Sequence, residues 1–303
     1  MIYLIFSLFV CFILVVTLAL FFNLNNVRND KDSDQSRALY SKNQSSLTSF
    51  SSQSLNTQMS KLPVQSAPAI NSSYSSLKNN VNKSSSTGTI PKSIKVAYLT
   101  FDDGPSNLTP KILDILKSKN VKATFFVIGK DDNQSKEILK RMVREGHAIG
   151  IHSWSHKYRD IYSNEENFLN DFNKLRSYIY KVTGVQPNIC RFPGGLNNTV
   201  CLKYGGHIMP KLYNDVTDMG IKPFDWNVMA LDASKVSTGK EQIIQNIITG
   251  SMKHSNAVIL LHDTNRTVTT MQALPKIIDE LLSRGFTFKT LTPSSPNVLF
   301  KPV

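Results

Sequence analysis

Two adjacent carboxylates follow an apolar run about a third of the way along the chain. The segment T-F-D-D-G-P-S at 100–106 comes directly after this run, so Asp102 and Asp103 stand where a buried strand would end. Neighbouring carboxylates repel each other and resist burial, so they need solvent, a shared proton or a cation. Asp, Gly and Pro are also common turn residues. The pair alone therefore leaves a solvated turn and a cation site open.

Two histidines four residues apart, His152 and His156, end another predicted strand in the segment H-S-W-S-H. Imidazoles at this spacing can converge on one cation, and neutral imidazole is the commonest nitrogen ligand for zinc-like ions. Alone, the spacing is weak evidence for a metal. Combined with a carboxylate from a neighbouring strand end, it gives an Asp-His-His set, which is typical of catalytic metal sites with open positions. One carboxylate of Asp102 and Asp103 can then bind the cation while the other accepts a proton from water.

Three further polar segments also end predicted strands: R-F-P-G-G (191–195), F-D-W (224–226) and L-L-H-D (260–263). Arg191 can hold a carboxylate in place, and the glycines after it can let backbone N–H groups approach a ligand. Asp225 beside Trp226 offers a carboxylate next to an aromatic surface of the kind on which sugars stack, although a core Trp with a capping Asp is the simpler interpretation. His262 ends a very apolar strand, where a lone histidine is usually structural.

The elements that must position these segments form an α/β pattern from residue 94 onward. Seven short apolar strands are predicted at 94–100, 122–129, 147–153, 189–192, 221–228, 256–262 and 286–292. Six amphipathic helices are predicted between them at 109–119, 135–145, 165–182, 209–219, 240–253 and 271–284. These numbers indicate an incomplete barrel of mainly parallel strands. The polar segments all follow strand ends, which is where α/β barrels build their active sites.

The first third of the chain has a different composition. Residues 2–22 contain no charged side chain and are long enough to span a bilayer, so we predict an uncleaved transmembrane anchor over 1–23. Residues 24–92 are dominated by Ser, Asn, Gln and Lys and have too little apolar side chain to offset the entropy of folding, which predicts a disordered linker. The first basic residues follow the span, and this charge bias argues weakly against export. We expect the predicted catalytic domain, 93–303, to be extracytoplasmic because of its chemistry.

The formal net charge of +13 favours attraction to an anionic surface or wall polymer. The strip of basic and aromatic residues that nucleic-acid binders use is not visible in the sequence. We therefore expect no nucleic-acid partner.

The segments T-F-D-D-G-P-S, H-S-W-S-H, R-F-P-G-G, F-D-W-N-V and L-L-H-D occur in this order across residues 94–292. In that order they resemble the five motifs of the NodB-like polysaccharide deacetylases, carbohydrate esterase family four, and in particular the peptidoglycan deacetylases. The resemblance implies a distorted (β/α)7 barrel. It also implies metal-dependent hydrolysis of the acetamide of N-acetylglucosamine or N-acetylmuramic acid in peptidoglycan, with release of acetate.

The resemblance implies a role for each matching residue. Asp102 falls on the general base, and Asp103, His152 and His156 fall on the metal ligands. The implied cofactor is one divalent ion, with zinc in first place and cobalt, nickel or manganese as alternatives.

On the opposite side, His262 falls on the general acid and Arg191 on the residue that orients the base. Asp225 falls on the carboxylate that tunes the acid, but Asp232 follows closely, so the sequence leaves open which of the two serves His262.

Three residues fall on substrate-binding positions. Trp226 and Leu260 match positions that line the acetyl pocket, and a backbone N–H near Gly194 is expected to stabilise the oxyanion. Many relatives have an aromatic residue soon after the proline of the third motif, whereas this chain continues with Gly194 and Gly195.

Together these expectations describe a monomeric, single-pass membrane enzyme whose partner is a cell-wall glycan. An O-acetyl esterase acting on xylan, a chitin-type deacetylase and a catalytically silent wall-binding module are the alternatives. The presence of both Asp102 and His262 argues against the silent module, because a binding protein needs neither.

Cys190 and Cys201 bracket the third motif, and Cys11 lies in the apolar run. A disulfide between Cys190 and Cys201 would close a loop of about a dozen residues and could stabilise the domain by up to about 3 kcal/mol. Cys190 also adjoins a buried strand, where a cysteine is often a core residue. We favour the reduced pair.

Overall fold

The structure of the protein, a computed structural model, describes residues 94–233 and 238–303. The predicted anchor at 1–23 and linker at 24–92 lie outside this part of the chain. Among the residues described, no helix is both long and apolar enough to cross a membrane.

One sheet of parallel strands carries the site. Its members are β1 (Lys95–Asp102), β2 (Thr124–Ile128), β3 (Ala148–Ser153), β4 (Ile189–Cys190), β5 (Lys222–Pro223), β6 (Val228–Met229), β7 (Asn256–His262) and β8 (Phe286–Phe288). The spatial order is β5-β4-β3-β2-β1-β7-β6, and β8 pairs with the start of β1. The sheet is open, with β5 and β6 as its two edge strands. It forms a half-barrel of parallel strands, consistent with the predicted distorted (β/α)7 barrel.

Helices connect the strands, as parallel pairing requires. They are α1 (Thr109–Ser118), α2 (Asn133–Arg144), α3 (Tyr158–Ile161), α4 (Glu165–Thr183), α5 (Met209–Asp218), α6 (Lys240–Ser251) and α7 (Val268–Ser283), with a 3₁₀ helix at Thr199–Lys203. The six predicted helices are confirmed within three residues at each end. The short α3 and the 3₁₀ helix were not predicted, because about one turn of helix leaves no apolar periodicity to detect.

The register of the two central strands, β1 and β7, aligns the residues at their C-terminal ends. β1 and β7 pair along their whole length, from Val96 opposite Asn256 to Asp102 opposite His262. Both strands are almost entirely buried, which explains their continuous apolar sequences. This register brings the ends of the first and last predicted motifs side by side.

The predicted strand at 221–228 is wrong as a single element, because β5 and β6 occupy this range at opposite ends of the sheet. Residues 224–227 join them: the Phe224 N–H donates to Cys190 O (2.9 Å) on the β4 side, and the Asn227 N–H donates to Val258 O (3.1 Å) on the β7 side. The chain therefore crosses from one edge of the half-barrel to the other here. The F-D-W segment lies on this crossing and directly follows the end of β5, so it does follow a strand end as predicted.

Candidate active site

The three predicted metal ligands come together at the C-terminal ends of β1 and β3. The Nε2 atoms of His156 and His152 lie 3.2 Å and 3.5 Å from Oδ1 of Asp103. One potential ligand atom from each residue lies within 4.8 Å of the other two. Oδ1 of Asp103 is buried and accepts no hydrogen bond from any described residue. A buried anionic oxygen facing two ring nitrogens is an arrangement that a cation would stabilise.

The protonation of the imidazoles fits such a cation. Nδ1 of His152 lies 2.7 Å from the carbonyl oxygen of Arg191, so Nδ1 carries the proton and Nε2 has a free lone pair. Burial and the neighbouring His152 lower the pKa of His156, which favours its neutral form. Two imidazole nitrogens and a carboxylate form a donor set suited to zinc and similar divalent ions. The residues therefore fit the metal that the family implies.

A carboxylate from α4 holds the histidine segment in shape. Oδ2 of Asp171 accepts hydrogen bonds from the Ser153 hydroxyl (2.7 Å) and the Trp154 N–H (2.6 Å), and Oδ1 accepts one from the Ser155 N–H (2.8 Å). The Ser153 hydroxyl oxygen in turn accepts the His156 N–H (2.9 Å). Asp171 was not predicted from the sequence, because an acidic residue on an amphipathic helix normally indicates only a solvated face.

Asp102 is the last residue of β1 and is paired with Arg191. Nη1 of Arg191 donates to Oδ1 of Asp102 (2.9 Å) and to the Thr100 hydroxyl (2.7 Å). The remaining guanidinium nitrogens donate to the carbonyls of Phe224 (3.0 Å) and Asp225 (2.8 Å). The buried arginine is thus fixed by four acceptors. No described residue donates to Oδ2 of Asp102, which leaves this oxygen able to accept a proton.

The partner of His262 is Asp232. Nδ1 of His262 lies 2.8 Å from Oδ1 of Asp232, and Oδ2 of Asp232 accepts the His262 N–H (2.8 Å) and the Thr270 hydroxyl (2.9 Å). Burial lowers the pKa of His262, but the hydrogen bond and charge of Asp232, together with the charges of Asp102 and Asp103, outweigh burial and raise this pKa to about 9. The imidazole is therefore protonated at neutral pH.

Asp225 does not fill the role that the resemblance implies. Its carboxylate accepts the backbone N–H groups of Leu196 (3.1 Å) and Phe300 (2.7 Å), and it makes no hydrogen bond to His262. Burial raises its pKa. Asp225 lies on the crossing between β5 and β6, so its carboxylate joins the third motif to the C-terminal segment. Asp232, which the sequence left as the alternative, takes the position beside the histidine.

Trp226 and Leu260 lie near this network but are largely packed. The Trp226 ring contacts Phe300 edge to face (5.1 Å between centroids) and lies 5.5 Å from the guanidinium carbon of Arg191. Its Nε1 is buried and has no hydrogen-bond partner among the described residues. Leu260 is 7% exposed and lies beside Thr100 and Met229 in the sheet.

A turn in the third motif presents a free amide. The Phe192 carbonyl accepts the Gly195 N–H (2.8 Å), Pro193 follows Phe192, and Gly194 has φ +80°. These features define a type II turn, whose third position favours glycine because φ is positive. The Gly194 N–H donates to no described residue, so it can donate to a ligand.

The orientation of this amide is fixed from behind. The carbonyl of Pro193 belongs to the same peptide plane as the Gly194 N–H, and it accepts hydrogen bonds from the Tyr162 hydroxyl (2.8 Å) and the Asn198 side-chain amide (3.1 Å). Because the C=O and N–H of a trans peptide point in opposite directions, anchoring the carbonyl also aims the N–H. The backbone donor was expected from the sequence, whereas neither anchoring residue was.

The segment after the paired aspartates is anchored by Asp263. This buried carboxylate accepts hydrogen bonds from the hydroxyls of Ser106 (2.6 Å) and Thr109 (2.5 Å), and burial raises its pKa. Its own N–H donates to the carbonyl of Asp102 (2.7 Å). Asp263 therefore ties the end of β7 to the end of β1.

Cys190 and Cys201 are both buried and free, so the structure has the reduced pair. The Cys201 thiol donates to the carbonyl of Asn198 (2.9 Å), and burial raises the pKa of both thiols. Neither cysteine is suited to reactive thiolate chemistry.

Comparison with known proteins agrees with this geometry. Residues 89–206 match the family model for polysaccharide deacetylase. The chain belongs to the polysaccharide deacetylase family, carbohydrate esterase family four, whose members are hydrolases acting on amide bonds.

Several relatives carry more specific names. The chain is 34% identical over 213 residues to a peptidoglycan-N-acetylglucosamine deacetylase of Bacillus cereus, covering 69% of this chain and 74% of the relative. It is 33% identical over 202 residues to the peptidoglycan-N-acetylmuramic acid deacetylase PdaA of Bacillus subtilis, covering 65% and 70%. A solved catalytic domain of a peptidoglycan N-acetylglucosamine deacetylase from Eubacterium rectale has a TM-score of 0.66 and 40% identity, covering 72% of this chain and 97% of that domain.

Proposed function

We propose that this protein is a metal-dependent deacetylase that hydrolyses the acetamide group of peptidoglycan amino sugars and releases acetate. The observation that carries the proposal is the meeting of two opposed groups at one end of the sheet. Asp102 has an oxygen open to accept a proton, and His262 has a pKa raised to about 9 and so has a proton to give. A base and an acid on adjacent strands are what amide hydrolysis requires.

The residues of the cation cluster have a defined part in this chemistry. Asp103, His152 and His156 would hold a divalent ion, for which we propose zinc. A bound ion of this kind would polarise the amide carbonyl and lower the pKa of water from about 16 toward about 7. These three side chains would also orient the acetamide relative to the base.

The first step uses Asp102. Its Oδ2 accepts the proton of the attacking water, while Arg191 holds Oδ1 and keeps the carboxylate in one orientation. The carbonyl oxygen of the acetamide gains negative charge as the water oxygen adds to the carbonyl carbon. The Gly194 N–H, aimed by the anchored Pro193 carbonyl, donates to this oxyanion.

The second step uses His262. The protonated imidazole gives its proton to the sugar nitrogen as the C–N bond breaks, because an amide nitrogen cannot leave as an anion. Asp232 keeps the imidazolium charged and oriented through Nδ1. The products are acetate and a sugar with a free amine.

The proposed substrate class follows from the named relatives, two of which act on different amino sugars of peptidoglycan at nearly equal identity to this chain. We therefore propose N-acetylglucosamine or N-acetylmuramic acid in the wall, without choosing between them. The test is mass spectrometry of muropeptides after peptidoglycan is treated with the purified, zinc-loaded protein. Muropeptides should lose the mass of an acetyl group, and fragmentation identifies the sugar.

Two controls separate the alternatives. The Asp102→Asn variant should leave the muropeptides acetylated. Acetate released from acetylxylan but not from peptidoglycan would instead favour the O-acetyl esterase. Binding to peptidoglycan without any acetate release would favour the silent wall-binding module.

We also propose that the protein is anchored in the cell membrane with its catalytic domain outside the cytoplasm. The uncharged run at 2–22 and the Ser- and Asn-rich segment after it support this proposal. Protease added to intact cells should remove the domain from residue 94 onward while a cytoplasmic marker stays intact. Protection of the domain until the cells are lysed would contradict it.

A further inference from the structure

Tyr158 lies between the cation cluster and the turn that presents the Gly194 amide. It is the first residue of α3, and its ring contacts the His156 ring edge to face at 5.4 Å between centroids. Its hydroxyl oxygen lies 3.0 Å from the position that a Cβ atom on Gly194 would occupy. The phenol thus spans the short distance from a metal ligand to the proposed oxyanion donor.

Neighbouring rings fix the position of this side chain. Tyr158 also packs edge to face on Tyr162 (5.7 Å between centroids), and the Tyr162 hydroxyl anchors the Pro193 carbonyl behind the turn. The Tyr158 ring is therefore held between His156 on one side and Tyr162 on the other. A hydroxyl at the end of a ring packed in this way has little freedom to move.

The hydroxyl itself makes no hydrogen bond to any described residue. The hydroxyl of Tyr162, one turn further along, differs in this respect because it donates to the Pro193 carbonyl. A phenol remains protonated at neutral pH, since its usual pKa is about 10, so the Tyr158 O–H can serve as a donor.

We propose that Tyr158 is a catalytic residue whose hydroxyl, together with the Gly194 N–H, donates a hydrogen bond to the acetyl oxygen as it becomes an oxyanion. The proposal rests on the deacetylase function proposed above. Two donors aimed at one developing charge stabilise a transition state more than the ground state, because the charge exists only during the reaction. Removing one such donor typically lowers kcat by about 10²-fold or more.

The absence of a side chain at Gly194 has a second consequence under this proposal. A Cβ there would lie 3.0 Å from the Tyr158 hydroxyl oxygen and 2.9 Å from the Asn198 side chain. The Asn198 side chain would have to shift, and the tyrosine hydroxyl would have to give way by a few tenths of an ångström. Glycine at this position therefore both permits the positive φ and leaves room for the phenol hydroxyl.

Tyr158→Phe is the decisive variant, because it keeps the ring contacts with His156 and Tyr162 and removes only the hydroxyl. We expect kcat for acetate release to fall by about 10²-fold with little change in KM. Zinc content and the melting temperature should match those of the wild type. A tetrahedral methylphosphonamidate analogue of the N-acetyl sugar should bind the variant more weakly by a similar factor, whereas N-acetylglucosamine oligomers should bind both proteins equally.

Tyr180→Phe is the matched control, because it also removes one phenol hydroxyl. Tyr180 is exposed on α4 and does not belong to the motif that contains the Gly194 turn. It should behave as the wild type in every measurement. An unchanged kcat in Tyr158→Phe, or a raised KM with unchanged kcat, would overturn the oxyanion role. Loss of zinc from the variant would overturn it in favour of support for His156. A wild-type protein that releases no acetate from peptidoglycan would refute the proposed function itself and the Tyr158 proposal with it.

Discussion

The two halves of the site are built in different ways. The cation side, formed by Asp102, Asp103, His152 and His156, stands at the ends of the long strands β1 and β3. The acid side, formed by Asp232 and His262, pairs the end of the seven-residue β7 with a residue three positions beyond the two-residue β6. The comparison shows that the local backbone of a short motif at the end of a long strand is enough to position its residues. A pair of residues from two separate elements is positioned by the order and register of the strands in the sheet.

Local backbone geometry explains the cation side. Asp102 is still within β1, while Asp103 has φ +73° and has left the strand conformation. The two adjacent carboxylates consequently face different partners, Arg191 and the histidines. Under the proposed function, this separation would let Asp102 act as the base while Asp103 belongs to the cation cluster.

The acid side has no comparable local motif. Asp232 and His262 are thirty residues apart, and they meet because β6 pairs with β7 through Met229 opposite Leu260. Leu231, with φ +60°, turns the chain just before Asp232. A small change in the position of this turn would therefore separate the acid from its carboxylate.

The largest effects should come from the cation side, where base and ligand roles can be separated. We expect Asp102→Asn to retain zinc and to lose acetate release by about 10³-fold or more, because it removes only the proton acceptor. His152→Ala should lose both zinc and activity. Zinc content by atomic absorption and acetate release measured on the same samples test the distinction. Near wild-type turnover in Asp102→Asn would remove the general-base assignment.

On the acid side, Asp232→Asn should change the pH dependence. Burial lowers the pKa of His262, whereas Asp232 above all, and then the charges of Asp102 and Asp103, raise it to about 9, so loss of the Asp232 charge should lower this pKa. The decline of activity at high pH should therefore move from about pH 9 to a lower pH, so kcat at pH 8 should fall more than kcat at pH 6. A pH–rate profile with metal held saturating measures the shift.

Asp225→Asn is the control for that shift. It should leave the decline near pH 9, because the Asp225 side chain accepts hydrogen bonds only from backbone N–H groups. Equal displacement of the pH profile by both variants would contradict the assignment of Asp232.

The pairing of His262 with Asp232 also predicts an effect of pH on the stability of the folded protein. Since the folded pKa is raised, its contribution to stability is complete below about pH 6.5 and is lost as pH rises through about 9.

A moderate effect is expected from Asp171→Asn, which alters the support of the cation side without touching a ligand. The asparagine keeps one acceptor oxygen, whereas Asp171 accepts three hydrogen bonds with two. Zinc affinity should fall by about 10- to 100-fold, as for other residues that orient metal ligands. Competition with a chelator measures this affinity.

Asp279→Asn provides a matched carboxylate for comparison, because its ion pair with Lys119 lies on the surface and such pairs contribute little. Its zinc affinity should equal that of the wild type. If Asp171→Asn also keeps full zinc affinity, the histidine segment holds its shape without the α4 carboxylate.

The smallest effect concerns the third motif, which lies between the two sides. Because Cys190 and Cys201 are free, a reducing agent should leave the melting temperature of the protein unchanged. Thiol titration of the denatured full-length chain, purified under oxidising conditions, should find all three cysteines. Loss of two thiols would show that a bridge forms across this motif.

The sequence predicted the elements of the fold with little error, because apolar periodicity and capping residues act over a few neighbours. The six main helices and the long strands β1, β3 and β7 lie where their patterns indicated. The single strand predicted at 221–228 failed, since a run of apolar residues cannot show that the chain leaves one edge of a sheet and joins the other.

The same division holds for the site. The sequence by itself pointed to the three metal-ligand candidates, and its resemblance to the deacetylase motifs pointed to the candidate base and acid, because each lies in a short motif whose residue types carry the chemistry. Only the tertiary structure decided that Asp232 partners His262, that Asp171 holds the histidine segment, and that Tyr158 reaches the Gly194 turn. The physical reason is distance along the chain. Hydrogen bonds between residues far apart in sequence are set by strand order and register, and these are properties of the packed sheet.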